Sequence, residues 1–132
     1  MTVELQILGG AVLLAVVQLL LFAVPANLEI GSNWLAGPRD GEMAPLSTRT
    51  ARLQRAFLNH IEGLAIFTPA VLIVVAGGAS SPLTQGAAVA YLLARIAYVP
   101  CYWAGIPWVR SAVWGVGLGA TVVMVVAALS NA

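Results

Sequence analysis

The sequence predicts an all-α integral membrane protein, built as a bundle of four membrane-spanning helices. Of its 132 residues, 61% are hydrophobic and only 8% are charged, and the mean hydropathy is +0.94. Soluble domains average about 25% charged residues, and a chain of this length cannot hide so much apolar surface in its own core. Membrane lipid must therefore cover much of the surface.

Four apolar segments are long enough to cross a bilayer, which takes about 20 residues. We place the helices at about residues 4–25, 48–77, 83–104 and 109–129, within a single domain that covers residues 1–132. Pro25 is expected to end the first helix. Ser47 and Thr48 are both suitable N-cap residues for the second.

The positions of the arginines predict the orientation in the membrane. Arg39, Arg49 and Arg52 flank the first connection and Arg110 flanks the third, whereas the termini and the second connection contain no Lys or Arg. Because basic residues favour the cytoplasmic side, we expect the first and third connections in the cytoplasm and both termini on the non-cytoplasmic side. A bacterial inner membrane is the expected location.

Several classes of function are excluded by what the chain lacks. Cys101 is the only cysteine and His60 the only histidine, so neither an intramolecular disulfide nor a cysteine- or histidine-rich metal site can form, and we expect no metal. The net charge of +1, without a run of basic residues, gives no nucleic-acid-binding surface. The expected partners are membrane lipid, further copies of the chain and, under one hypothesis below, another membrane protein.

Polar side chains form one stripe on each of two predicted helices. The stripe on the second helix consists of Arg52, Arg55, Asn59 and Glu62, and that on the third of Tyr91, Arg95, Tyr98 and Tyr102. Helical geometry brings each set onto one face. Charged residues inside a membrane segment are costly and commonly mark a functional site.

Two interpretations of these stripes remain open. If they face each other, they enclose guanidinium, amide, carboxylate and phenol groups, which together suit a small zwitterionic ligand. Alternatively they form a structural network in which Glu62 neutralises Arg55 or Arg95, so that the helices pack without an unpaired charge.

Small residues on the last two helices predict close helix packing. Gly86, Ala90 and Ala94 recur at every fourth position, and Gly115 and Gly119 form a G-x-x-x-G motif. Such spacing lets helix backbones approach closely. Four tryptophans lie mostly near the ends of the spans, where an interfacial belt is expected: Trp34, Trp103, Trp108 and Trp114.

Three motifs resemble those of the MAPEG superfamily, the membrane-associated proteins in eicosanoid and glutathione metabolism. They are Arg52-x-x-Arg55-x-x-x-Asn59-x-x-Glu62 followed by Phe67-x-Pro69, Arg95-x-x-Tyr98-x-x-x-Tyr102, and Pro107-x-x-Arg110-Ser111. The connection with Trp34, Gly37, Arg39 and Asp40 is more similar to a bacterial branch of the family than to the mammalian enzymes.

The resemblance implies a MAPEG-like homotrimer with a ligand site between neighbouring subunits, open to the cytoplasmic leaflet. It implies glutathione as the co-substrate of a transferase or peroxidase that acts on apolar electrophiles. Arg52, Arg55, Asn59 and Glu62 would bind this ligand together with Arg95, Tyr98 and Tyr102 of the adjacent chain. Arg110 would be the catalytic residue that favours the thiolate.

Two features depart from the family pattern and motivate a second functional hypothesis. The end of the first helix, residues 25–29, contains no Arg or Lys where the family enzymes carry basic residues, and Gly63 follows Glu62 where several members have a larger hydrogen-bonding residue. The alternative is therefore a non-catalytic protein of the same fold: a membrane scaffold, an accessory subunit or a lipid-binding protein.

Overall fold

The computed structural model describes residues 1–132, and all of its regular secondary structure is helical. The helices are α1 (Val3–Ile30), α2 (Ser32–Ala36), α3 (Thr48–Ala76), α4 (Pro82–Ala104) and α5 (Pro107–Ser130). All except α2 are long and apolar enough to cross a membrane. The predicted fold class, an all-α membrane bundle of four long helices, is confirmed.

The first helix is longer than predicted. It does not end at Pro25 but continues to Ile30, because the loss of one backbone donor at a proline is tolerated in membrane helices. The helix ends at Gly31, whose φ of 98° is accessible to glycine at little cost. The connection that follows contains the short helix α2, which the sequence analysis did not predict.

Side-chain caps fix the connection between α1 and α3. The hydroxyl of Ser47 accepts a 3.2 Å hydrogen bond from the backbone N–H of Thr50, so Ser47 is the N-cap of α3. The carboxylate of Glu29, near the end of α1, accepts hydrogen bonds from the backbone N–H of Ser47 at 3.0 Å and from the hydroxyl of Thr50 at 2.8 Å. Glu29 thus ties the end of α1 to the start of α3.

The four long helices form a rhombus in cross-section. α3 and α4 contact each other, and each also contacts both α1 and α5, whereas the backbones of α1 and α5 do not approach each other closely. α3 and α4 therefore lie on the short diagonal, with α1 and α5 at the outer corners. This arrangement turns the polar stripes of α3 and α4 towards each other.

An aromatic stack lies at the centre of the bundle. The rings of Phe67 on α3 and Tyr91 on α4 are parallel within 3° and their centroids are 3.7 Å apart. Around them, Val71, Val74 and Met124 are fully buried. Gly117 is the buried glycine of α5, whereas both glycines of the predicted G-x-x-x-G motif, Gly115 and Gly119, lie on its exposed face.

The outer surface of the bundle is apolar. Leu13 is 68% exposed, Leu93 is 61% exposed and Val126 is 56% exposed. Burying such side chains in water-free surroundings is favourable, and lipid provides those surroundings. The protein is therefore an integral membrane protein in a lipid environment.

Two polar side chains are buried between helices away from the stripes. Glu4 is fully buried and accepts hydrogen bonds from the hydroxyls of Thr84 at 2.6 Å and Ser80 at 2.9 Å. Nε2 of His60 lies 2.8 Å from the carbonyl oxygen of Ala11. Glu4 thus joins α1 to α4 and to the turn that precedes α4, and His60 joins α3 to α1. Both residues have structural partners.

Candidate functional site

The stripes of α3 and α4 are connected by two hydrogen bonds within one chain. Nε of Arg55 donates to the hydroxyl of Tyr102 at 3.1 Å, and Nη1 of Arg95 donates to Oδ1 of Asn59 at 2.7 Å. These bonds lie one helical turn apart along α3, because residues four positions apart are neighbours on a helix. The sequence spacing thus corresponds to real contacts between the two stripes.

A cleft of about 430 Å³ opens beside these contacts, and we call it the outer cleft. Its polar lining includes six of the residues that the sequence predicted for the site: Arg55, Asn59, Glu62, Tyr98, Tyr102 and Arg110. Helix α5 lines one side of the cleft, because it enters the bundle directly after the turn at Gly105, whose φ is 75°. Three long helices therefore contribute to one polar cleft.

Positive charge is concentrated around Tyr102. The guanidinium of Arg110 lies 4.8 Å from the centroid of the Tyr102 ring, and that of Arg55 lies 5.8 Å from it. Cation–π contacts of this length hold a guanidinium near a ring without neutralising its charge. Both arginines remain available to an anionic group in the cleft.

The structural-network hypothesis named the wrong partner for the buried arginine. Arg95 is only 4% exposed, and its hydrogen-bond partner is the neutral amide of Asn59 rather than Glu62. Glu62 instead is an exposed residue of α3 that lines the cleft. Its carboxylate is therefore free to bind a ligand cation.

Arg52 lies outside the outer cleft, although it belongs to the same sequence motif. Its Nη1 donates to the carbonyl oxygen of Trp103 at 3.2 Å, and its guanidinium packs against Gly105. The adjacent Arg49 stacks on Trp103, 4.9 Å from the ring centroid. A cation at a helix C-terminus stabilises the free carbonyls and the helix dipole, so Arg52 caps α4.

The outer cleft is also lined by three residues that were not predicted from the sequence: Leu58, Ser111 and Trp114. The sequence predicts an interfacial position for Trp114, but the structure places this residue in the wall of the cleft. Trp114 follows Arg110 by four positions, the spacing that puts two residues on one helix face. This spacing from Arg110 was the sequence signal that could have placed Trp114 in the cleft.

The sequence model of the MAPEG family matches residues 7–130, nearly the whole chain. The chain belongs to the MAPEG family. No curated protein and no solved structure matches it at a significant level. The resemblance in the sequence motifs is thereby confirmed.

Within this MAPEG chain, α3 and α4 of the same subunit meet around the cleft. The resemblance implied that Arg95, Tyr98 and Tyr102 would approach the α3 residues from a neighbouring subunit. In the structure, Tyr102 and Arg95 bond directly to Arg55 and Asn59 of their own chain. These two bonds therefore join α3 and α4 within one chain.

Gly63, a departure from the pattern of several MAPEG members, has a structural explanation. A Cβ atom added at Gly63 would lie 2.6 Å from Cζ of Arg95, closer than any real contact. The missing side chain therefore leaves room for the Arg95 guanidinium. In this MAPEG chain, the position of the Arg95 guanidinium requires a residue without a side chain at position 63.

Proposed function

We propose that this MAPEG-family protein is a glutathione- or thiol-dependent membrane transferase or peroxidase that acts on apolar electrophiles. The observation that carries the proposal is the composition of the outer cleft. Two arginines, one glutamate, one asparagine and two tyrosines line one space of about 430 Å³. Cavities of roughly 300–1,000 Å³ are typical of small-molecule sites.

The charges in the cleft complement those of glutathione. This tripeptide carries two carboxylates and one ammonium group. Arginine binds carboxylates bidentately, and Glu62 provides the anion that an ammonium group needs. Asn59, Tyr98 and Tyr102 add neutral hydrogen-bonding groups for the peptide amides.

Arg110 is the proposed catalytic residue. A free thiol has a pKa near about 8.5, and a nearby guanidinium favours the thiolate, which is the nucleophile. In the transferase reaction, the sulfur electron pair forms the bond to the electrophilic carbon and the leaving group departs with its bonding pair. In the peroxidase reaction, the thiolate takes the terminal oxygen of a hydroperoxide, the alcohol leaves, and a second thiol gives the disulfide and water.

A turnover assay tests this function. We expect the purified protein to form the thioether from glutathione and an activated aryl chloride, or to reduce an alkyl hydroperoxide, with a rate that saturates in glutathione. Arg110→Ala should lower kcat more than it raises KM for glutathione. Rates equal to those of protein-free micelles with both electrophiles would contradict an enzymatic role.

We further propose that the protein is a homotrimer in a bacterial inner membrane, with its termini on the non-cytoplasmic side. The family membership and the exposed apolar helix faces support the trimer. The arginines in and beside the first connection, together with Arg110 beside the third, support the orientation. Mass measurement in mild detergent tests the trimer. Reporter fusions after Ala132 test the orientation, since an active cytoplasmic reporter would reverse it.

A second candidate function is a non-catalytic scaffold, accessory subunit or lipid-binding protein. It is favoured by the end of α1, which has no basic residue that could bind a glutathione carboxylate. Glu29 at this end instead accepts hydrogen bonds from Ser47 and Thr50. Under this hypothesis, a stoichiometric membrane partner co-purifies from native membranes. A rise in melting temperature on adding glutathione would argue against it, because a ligand that binds the folded state stabilises it.

A further inference from the structure

A second cleft adjoins the outer cleft, between α3, α4 and α5. It has a volume of about 170 Å³, and we call it the inner cleft. Asn59, Glu62 and Trp114 line both clefts, whereas Tyr91 and Arg95 line the inner cleft and not the outer one. The mechanism proposed above gives Tyr91 no role.

Two buried groups in the inner cleft lack a hydrogen-bond partner within the chain. Tyr91 is 1% exposed and Arg95 is 4% exposed. The hydroxyl of Tyr91 and Nε of Arg95 make no hydrogen bond. Buried polar groups in proteins are nearly always paired, and a guanidinium can only donate. These two groups therefore indicate a site for an acceptor that a ligand brings.

The number of cations in the outer cleft indicates which acceptor is needed. Glutathione in its thiolate form has three anionic groups, namely two carboxylates and the sulfur. The outer cleft contains two guanidinium groups, those of Arg55 and Arg110, and Arg110 is assigned to the sulfur. Arg55 can then bind one carboxylate, and the end of α1 has no basic residue for the other. The second carboxylate requires a third cation.

The position of Arg95 fits the carboxylate that lies next to the ammonium group. Arg55 and Glu62 are seven residues apart, about 10.5 Å along α3, so they reach opposite ends of an extended tripeptide. If Glu62 binds the ammonium, the α-carboxylate of the same γ-glutamyl carbon must lie close to Glu62. The Arg95 guanidinium packs against Gly63, the residue after Glu62. An anion and two free donors thus line one small cleft.

We propose that the inner cleft binds the α-amino-acid head group of a γ-glutamyl thiol. Its carboxylate accepts hydrogen bonds from Nε of Arg95 and the hydroxyl of Tyr91, and its ammonium group donates to Glu62. Carboxylate recognition by a guanidinium is strong and charge-assisted. The inference rests on the proposed thiol function and adds to it a binding residue, Tyr91. It also explains how the chain can bind this carboxylate without a basic residue at the end of α1.

Two ligands without a free thiol test the proposal by calorimetric titration of the full-length protein in detergent micelles. The first is S-methylglutathione. The second is the same compound with 4-aminobutyryl in place of γ-glutamyl, which lacks only the α-carboxylate. The wild type should bind the second ligand at least about tenfold more weakly, as expected for the loss of a charged hydrogen bond.

Tyr91→Phe identifies the group that recognises this carboxylate. The variant retains the ring that stacks on Phe67 at 3.7 Å and removes only the hydroxyl. It should bind S-methylglutathione about tenfold more weakly than the wild type. It should bind the ligand without the α-carboxylate as the wild type does, which also shows that the variant is folded.

Three results would each overturn the inference: no binding of S-methylglutathione to folded wild type, equal binding of the two ligands, or an equal loss for both ligands in Tyr91→Phe. Turnover with glutathione alongside any of these results would leave the thiol function standing and remove only the proposed head-group site. The predicted binding pattern without turnover would instead retain the site and remove the thiol chemistry.

Discussion

Nη1 of Arg95 on α4 donates a 2.7 Å hydrogen bond to the side-chain oxygen of Asn59 on α3. The bond joins the two helices on the short diagonal of the bundle and lies at the outer cleft, which Asn59 lines. The same bond thus stabilises the bundle and shapes the outer cleft.

Asn59→Ala should therefore destabilise the protein. The buried guanidinium of Arg95 loses its acceptor, and a hydrogen bond to a charged group contributes about 1.5–3 kcal/mol. The thermal midpoint in mild detergent, followed by circular dichroism, should fall by several degrees. Asn33→Ala, at an exposed position of α2, is the matched control, and equal midpoints for the two variants would contradict the role of the bond.

Gly63→Ala should also destabilise the bundle, although alanine is the better helix former. The new Cβ atom would overlap the guanidinium of Arg95, and overpacking of this kind costs about 1–3 kcal/mol. Gly86→Ala is the control, because a Cβ atom there meets nothing within 4 Å. Unfolding curves of the two variants in the same detergent decide the point. A Gly63→Ala protein as stable as the wild type would show that Arg95 can move aside at no cost.

The sequence predicted the fold class and most of the outer cleft because both depend on local patterns. Apolar length specifies a membrane helix, and three- and four-residue spacings place Arg55, Asn59 and Glu62 on one face. The choice of partners across helices could not be predicted in this way. Whether Arg95 pairs with Asn59 or Glu62 depends on the relative rotation and height of two helices, which no single helix encodes.

Other differences have the same origin. Arg52 lies on the predicted stripe, but its long side chain reaches the end of α4 and caps it. Glu4 sits near the N-terminus of an apolar segment, and nothing local shows that Thr84, far along the chain, supplies its buried hydrogen bond. Pro25 is a local signal for a helix end that the membrane environment overrides.

Arg110→Ala should shift the ionisation of bound glutathione to higher pH. Under the proposed mechanism, the guanidinium of the wild type lowers the pKa of the bound thiol below its ordinary value of about 8.5, and the thiolate is then expected to persist at lower pH. Without Arg110 the pKa should return towards that value, and the thiolate should form only as the pH rises further. The ultraviolet absorbance of the bound thiolate against pH measures this midpoint.

Arg49→Ala is the control for that titration, because Arg49 stacks on Trp103 outside the outer cleft. Its midpoint should match that of the wild type. If Arg110→Ala left the midpoint unchanged, the residue would have no role in thiolate formation, even if turnover were lower.

Glu4→Ala should lower stability without changing ligand binding. Its carboxylate accepts hydrogen bonds from Thr84 and Ser80 at the turn between α3 and α4, and Thr84 is fully buried. Removing the acceptor should cost about 1.5–3 kcal/mol. Gln6→Ala, at an exposed position two residues further along α1, should be nearly neutral. Similar melting temperatures for the two variants would mean that water replaces Glu4 without loss.

Calorimetric titration of the folded protein with glutathione tests the central claim most directly, because it requires no knowledge of the electrophile. We predict saturable heat for the wild type and for Arg49→Ala. Arg55→Ala and Glu62→Ala should each bind at least about tenfold more weakly, since each loses a charged hydrogen bond to one end of the peptide. The absence of heat at millimolar glutathione, in protein whose folded state is verified in the same sample, would contradict the account.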